Sequence, residues 1–175
     1  MLKLALVTAC SRPENLGRVA ESIRPRTGAF ELEWIVEMDL QARHVAGNEE
    51  KNRALGRIAP EAWVYFLDDD NLLHPELLPA LARGIGERHS ARAFVFGQEV
   101  ALGAFRPASP SRMFVGGLDL AQFAVRRDLI GERRFEPGRY ESDGLLIYAL
   151  HMEHPEAFEF LPACLSYYNR LRWSA

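Results

Sequence analysis

A three-layer α/β/α fold with a mostly parallel central sheet is what this sequence predicts. Strand-like and helix-like patterns alternate through residues 1–90, which implies parallel strands joined by crossover helices. One apolar run, Trp63-Val64-Tyr65-Phe66-Leu67, is continuous rather than alternating, as in a strand covered on both faces. Polar and acidic residues stand directly after three of the strand patterns, where such sheets place their ligands.

The elements follow in order. Leu4 to Ala9 is an apolar run that reads as a buried first strand. Ser11 with Glu14 has the spacing of a capping box, and Pro13 suits a first helical turn. Leu16, Val19, Ala20 and Ile23 then recur at helical spacing, with Pro25 and Gly28 as the stop. Phe30 to Met38 is the second strand, and Glu49 to Ile58 a polar helix ending near Pro60. After the third strand comes Asp68-Asp69-Asp70-Asn71, then a helix from about Pro75 with Leu77, Leu78, Leu81 and Ile85 on one side.

Beyond residue 90 the pattern is less regular. Ala93 to Phe96 and Leu118 to Val125 read as strands, separated by a Pro/Gly/Ser-rich loop over Gly103 to Ser111. Ser142 to Met152 reads as a helix with Leu145, Leu146 and Ala149 inward, and Phe158 to Leu161 and Leu165 to Tyr168 as two short strands. No linker or repeat divides the chain. We read residues 1–175 as one domain, with a nucleotide-binding half (1–90) and an acceptor or catalytic half (91–175).

Composition narrows the partners. The chain has 175 residues, 48% of them hydrophobic, enough for a core without disulfides. The net charge of −3 and the lack of a basic stripe speak against nucleic-acid binding. An anionic ligand must then find positive charge locally, from a few arginines or a metal ion. Cys10 and Cys164 are too few for a disulfide framework and lack metal-site spacing, so they read as reduced thiols. The opening apolar run is too short for a secretory leader, and no run approaches the roughly 18 apolar residues of a membrane span. The expectation is a cytoplasmic protein without a transmembrane segment.

The aspartate triplet carries most of the chemistry. Adjacent like charges repel, and each needs solvent or a partner. In extended backbone Asp68 and Asp70 face one side and Asp69 the other. Two carboxylates on one side suit Mg2+ or Mn2+, which draw their other ligands from water and substrate phosphates. A solvated turn with Asp70 or Asn71 capping the next helix is the alternative. The position after a buried strand in an alternating α/β half favours the metal–nucleotide reading.

At these residues the chain resembles the GT-A glycosyltransferases. It is broadly similar to family 2, and its motifs look like those of the inverting β-1,3-glucuronyltransferases of family 43. Trp34-Ile35-Val36-Glu37-Met38-Asp39 is similar to the segment whose final Asp holds the uracil ring. Tyr65 to Asn71 resembles the DXD segment, which implies Asp70 as metal ligand and Asp69 at the ribose. Leu118 to Val125 resembles the segment with an acceptor-side Asp, here Asp119. Gly138-Arg139-Tyr140-Glu141-Ser142-Asp143 resembles the one carrying the catalytic base. Where family 43 has Trp-His-Thr-Arg beside the diphosphate, this chain has Tyr167-Tyr168-Asn169-Arg170, matching at Arg170 and departing at Tyr168.

What this implies is an inverting transfer of a sugar from a nucleotide diphosphate donor, a UDP-sugar, to a hydroxyl of a carbohydrate or other acceptor. The expected cofactor is Mn2+ or Mg2+, held by Asp70 with Asp68. Glu141 is the first candidate base and Asp143 its rival, since one carboxylate must take the acceptor's proton. Thr8, Arg12, Asp39, Asp68 and Asp69 are expected along the nucleotide pocket, and Arg170 on the diphosphate. Lys51 and Asn52 lie on a polar helix that either reaches the nucleotide or faces solvent. Asp119 is either an acceptor ligand or a strand-end turn residue. Two rival classes remain. A nucleotidyltransferase would carry a glycine-rich phosphate loop after the first strand, where Thr8-Ala9-Cys10-Ser11-Arg12-Pro13 has no glycine. A non-catalytic nucleotide-sugar-binding protein would keep the pocket without turnover.

Overall fold

A computed structural model describes residues 1–24, 28–39 and 47–172. The strands are β1 (Leu2–Cys10), β2 (Phe30–Met38), β3 (Trp63–Phe66), β4 (Ala93–Glu99), β5 (Phe105–Arg106), β6 (Phe123–Arg126) and β7 (Phe158–Tyr167). The helices are α1 (Leu16–Ile23), α2 (Asn48–Leu55), α3 (Leu77–Glu87), α4 (Arg127–Ile130) and α5 (Ser142–Glu153). One sheet runs in the order β2-β1-β3-β6-β4-β5, with β7 paired to β4. β1 pairs in parallel with β2 and β3, and β4 with β7, whereas β6 is antiparallel to both β3 and β4. β1, β2, β3, β4 and β7 therefore point the same way, and the sheet is mostly parallel as predicted.

The pleat of β1 sorts the core into two layers. Ala5 and Val7 lie on one face with Val64, Phe66, Val95 and Val125, under Leu55 of α2 and Leu146 and Leu150 of α5. Leu4 and Leu6 lie on the other with Trp63, Tyr65, Phe94 and Phe96, under Val19 of α1 and Leu77 and Leu81 of α3. Residues of alternating parity thus bury on both faces, which is why β3 reads as unbroken apolar sequence. The two helical layers complete the three-layer arrangement.

Several local expectations are corrected. The Ser11–Glu14 capping box does not form. A 3-10 turn over Pro13–Asn15 precedes α1, without a side-chain cap, because Ser11 is bonded elsewhere. The stop expected at Pro25 lies outside the described residues. The strand expected over Leu118 to Val125 shortens to β6. Ahead of it, Asp119 and Gln122 form a capping box around a 3-10 turn, Leu120–Gln122. The two short C-terminal strands are one strand, β7, with register shifts opposite Phe96, Gly97 and Gln98. In α5 Leu146 is buried as expected, together with Ser142, Ile147 and Leu150, whereas Leu145 and Ala149 are only partly buried.

Candidate active site

Because β1, β2, β3, β4 and β7 share one direction, their carboxyl ends meet at one edge. A cleft of about 410 Å3 opens there. Its lining comes from Ser11 and Arg12 after β1, Asp39 after β2, Asp68 to Asp70 after β3, and Tyr168, Asn169 and Arg172 after β7. Asp119, ahead of the antiparallel β6, enters from the same edge, as do Glu141 and Asp143 at the start of α5. Gly47 and Lys51 bring in α2. Gly47 has φ +63°, and a Cβ there would sit 2.3 Å from Ala9 Cβ, so only glycine lets α2 start this close to β1. Among the described residues the lining carries seven carboxylates (Asp39, Asp68, Asp69, Asp70, Asp119, Glu141, Asp143) against four cations (Arg12, Lys51, Arg106, Arg172).

One wall is closely paired. Asp69 Oδ2 accepts from the backbone N–H of Ser11 at 2.6 Å, that of Arg12 at 2.7 Å and the Ser11 hydroxyl at 3.1 Å. Its Oδ1 accepts from Arg12 Nη1 at 2.8 Å. Asp70 Oδ2 pairs with Arg12 Nη1 at 2.9 Å and Arg172 Nη2 at 2.7 Å. Burial pushes the Asp70 carboxyl up, and both guanidiniums pull it back. The chain after β7 is docked here through its backbone, with Leu171 N–H donating to Asp70 O at 2.8 Å and Arg170 N–H to Asn71 Oδ1 at 3.0 Å. Asn169, at φ +53°, makes the turn.

The other wall is built differently. Asp68 accepts no hydrogen bond at its carboxylate from any described residue, and burial pushes it up to about 7, with Lys51 opposing. Asp143, half-buried in the first turn of α5, accepts from the Gly144 N–H at 2.7 Å. Its carboxyl is also raised by burial, Lys51 again opposing and Asp119 adding to the rise. Lys51 is only 4% exposed, with Nζ 5.4 Å from the centre of the Phe135 ring. One buried ammonium therefore faces two carboxyls that burial has made poor anions. Asp119 Oδ1 is held by Ala121 N–H at 2.9 Å and by Gln98 Nε2 at 3.0 Å. Gln98 Oε1 in turn accepts from Arg106, whose guanidinium lies 5.1 Å from the centre of the Tyr168 ring. Glu141 lines the cleft but is exposed.

Three residues expected in the pocket are placed elsewhere. Thr8 is fully buried beneath it, donating to Leu67 O at 2.7 Å and accepting from Trp34 Nε1 at 3.0 Å. Asn52 turns to the backbone of Phe135, donating to its O and accepting from its N–H, each at 2.8 Å. The Arg170 guanidinium lies against Glu99 and the Tyr167 ring; Arg172 reaches the cleft in its stead. Sequence reasoning missed Ser11, Gln98, Arg106 and Arg172. The spacing of Ser11 suggests a helix cap instead, and nothing in local pattern marks the other three, whose roles come from the β4–β5 and β4–β7 pairings.

No protein-family model and no curated protein matches this sequence. Solved structures do. Residues 1–349 of TarS from S. aureus superpose with a TM-score of 0.70 at 15% identity, over 95% of this chain and 60% of that one. This chain shares the fold of the matched part of TarS. The same TarS fragment in complex with UDP-GlcNAc gives 0.69 at 15% identity, covering 96% and 58%. Longer TarS gives 0.68 at 16%, covering 95% and 36%. The chain spans less than two thirds of each of these TarS chains. The likeness establishes the α/β architecture predicted from the sequence. No helix among the described residues is long and apolar enough to cross a membrane.

Proposed function

We propose that the protein is a GT-A-type glycosyltransferase that moves a sugar from a nucleotide diphosphate donor, a UDP-sugar, to an acceptor hydroxyl with inversion. One observation carries this reading. A single cleft joins the strand-end carboxylates of β3 to a half-buried Asp143 that burial has made a better proton acceptor. The UDP-GlcNAc complex of the TarS fragment with the same fold supports the donor class. The TarS likeness supports the broad glycosyltransferase reading and lends nothing to the specific resemblance to family 43.

Asp143 is the base we favour over Glu141. Both lie at the start of α5, but Glu141 is exposed, and the raised proton affinity of Asp143 moves it toward the pH at which a base works. The acceptor oxygen attacks the anomeric carbon as the bond from that carbon to the diphosphate oxygen breaks. The diphosphate leaves with the electron pair, and Asp143 takes the hydroxyl proton. Asp119, oriented by Gln98 and Ala121, holds the acceptor. Arg12 and Arg172 face the leaving diphosphate.

A divalent cation fits the donor set as a substrate-completed site. Among the described residues no three acidic, histidine or cysteine side chains form a complete metal site. Asp68 and Asp70 offer hard oxygens, and Mg2+ or Mn2+ take the remainder from water and phosphates. Bound there, the ion would neutralise charge growing on the leaving diphosphate. The excess of carboxylates among the described residues of the cleft gives an anionic donor reason to arrive with a cation.

The test is calorimetric titration of UDP into the protein with Mn2+ and with chelator, alongside Asp68→Asn and Asp70→Ala. Metal-dependent binding that both variants lose supports the donor site and leads to transfer assays with UDP-sugars. Absence of UDP binding under either condition overturns the reading.

A further inference from the structure

We propose that Asn48 and Asn52 are positioning residues that set Asp143 against Lys51 by clasping the backbone of residues 135–139 to α2. The proposal rests on the reading of Asp143 as the base.

The segment between α4 and α5 has no strand or long helix of its own to fix it. Its described backbone bonds near α5 are weak, at 3.4 Å from Arg139 N–H to Glu136 O and 3.3 Å from Ser142 N–H to Arg139 O. The strong bonds come from α2. Asn52 closes a two-way amide pair with Phe135, donating to its O and accepting from its N–H at 2.8 Å each. Asn48, one turn earlier, donates to Glu136 O at 2.9 Å and Arg139 O at 2.7 Å. Positions i and i+4 share a helix face, so both amides grip the same strip of chain. Glu136 N–H then donates to Ser142 Oγ, which carries the grip into the first residue of α5.

Lys51 stands between the two asparagines on this helix. Its ammonium faces Asp68 and Asp143 and lies over the Phe135 ring. One short helix thus holds both the cation and the chain that presents the acid. Asn48 is 1% exposed and neither asparagine lines the cleft, so neither is placed to touch donor or acceptor. The role predicted for Asn52 from the sequence, nucleotide binding, gives way to one exerted through Asp143.

The experiment compares Asn52→Ala and Asn48→Ala with the unaltered protein by calorimetry with UDP and Mn2+, steady-state transfer from a UDP-sugar, and amide hydrogen exchange resolved over residues 135–143. Asn52→Asp keeps the oxygen that accepts from Phe135 N–H and serves as the conservative rescue. The expected result is a fall in kcat of tenfold or more, UDP affinity within twofold, faster exchange confined to 135–143, and partial recovery in Asn52→Asp. An equal loss of UDP affinity and turnover would assign Asn52 to the nucleotide and overturn the clasp. So would unchanged exchange at 135–143, or wild-type kcat in a variant whose segment has loosened. If the unaltered protein binds UDP without any transfer, the proposed function fails. The clasp is then decided by exchange alone: protection unaffected by the substitutions rejects it, and selective loss upholds the grip. Should Asn52→Ala not fold, Asn48→Ala carries the same readouts.

Discussion

The two walls of the cleft use the same ingredients to opposite ends. On the β1/β3 side, Asp69 and Asp70 are buried and held by backbone N–H groups, a serine hydroxyl and two arginines. On the α2/α5 side, Asp68 and Asp143 are also withdrawn from water, yet one lysine serves both. A carboxylate ringed by donors, as Asp69 is, works as a fastener. An undersaturated one holds its proton more tightly and can exchange it. Within one triplet Asp69 thus serves structure and Asp68 chemistry, according to how many donors surround each, with Asp70 between them, held by two arginines and open to a cation.

This contrast can be broken most sharply at Asp143. Asp143→Asn is expected to lower transfer by about 100-fold to 10000-fold, the range for a lost general base. UDP affinity should stay as it was; equal loss in Glu141→Gln with normal Asp143→Asn would exchange their roles. Next in size is Lys51→Met. Without the ammonium the Asp143 carboxyl rises further, so the acid limb of the kcat–pH profile should move up by about one pH unit. An unmoved profile would detach Lys51 from the acid.

The fastening wall should respond in stability instead. Asp69→Asn places an NH2 among donors and leaves some of them unpaired. It should cost about 2 kcal/mol, which for this size lowers Tm by roughly 4–8 °C. Gly47→Ala, strained at φ +63° and pressed onto Ala9, should cost roughly 1–3 kcal/mol. A further effect concerns pH. Asp68, with a folded value of about 7 against an ordinary 3.8, binds its proton more tightly in the folded state. Its contribution to stability is therefore greatest in acid and declines as pH rises from about 4 to 7. Asp68→Asn should flatten that decline in urea melts of the ligand-free protein. A curve that keeps its slope would place the raised proton affinity elsewhere.

Much of this was legible in the sequence because it is written in local periodicity. The β-α-β-α-β-α order, the covered β3 and the convergence of Asp39, Asp68, Asp69 and Asp70 on one edge follow from apolar spacing and the direction of parallel strands. Helix α5 and its acids were also visible, although its buried face turned by about one position. What could not be read was who partners whom. Ser11 looked like a helix cap because sequence spacing cannot show that Asp69, 58 positions away, competes for the same N–H and hydroxyl. Asn52 looked like a nucleotide ligand because the Phe135 backbone it grips is 83 positions distant. Arg170 and Arg172 differ by two residues, and only the left-handed turn at Asn169 and the docking of Leu171 on Asp70 decide which one enters the cleft. By itself the sequence determined the layers, the edge where the ligands gather and the residue types available there. The tertiary structure alone decided which carboxylates are satisfied, because that depends on donors brought in from distant strands and on the water that packing removes.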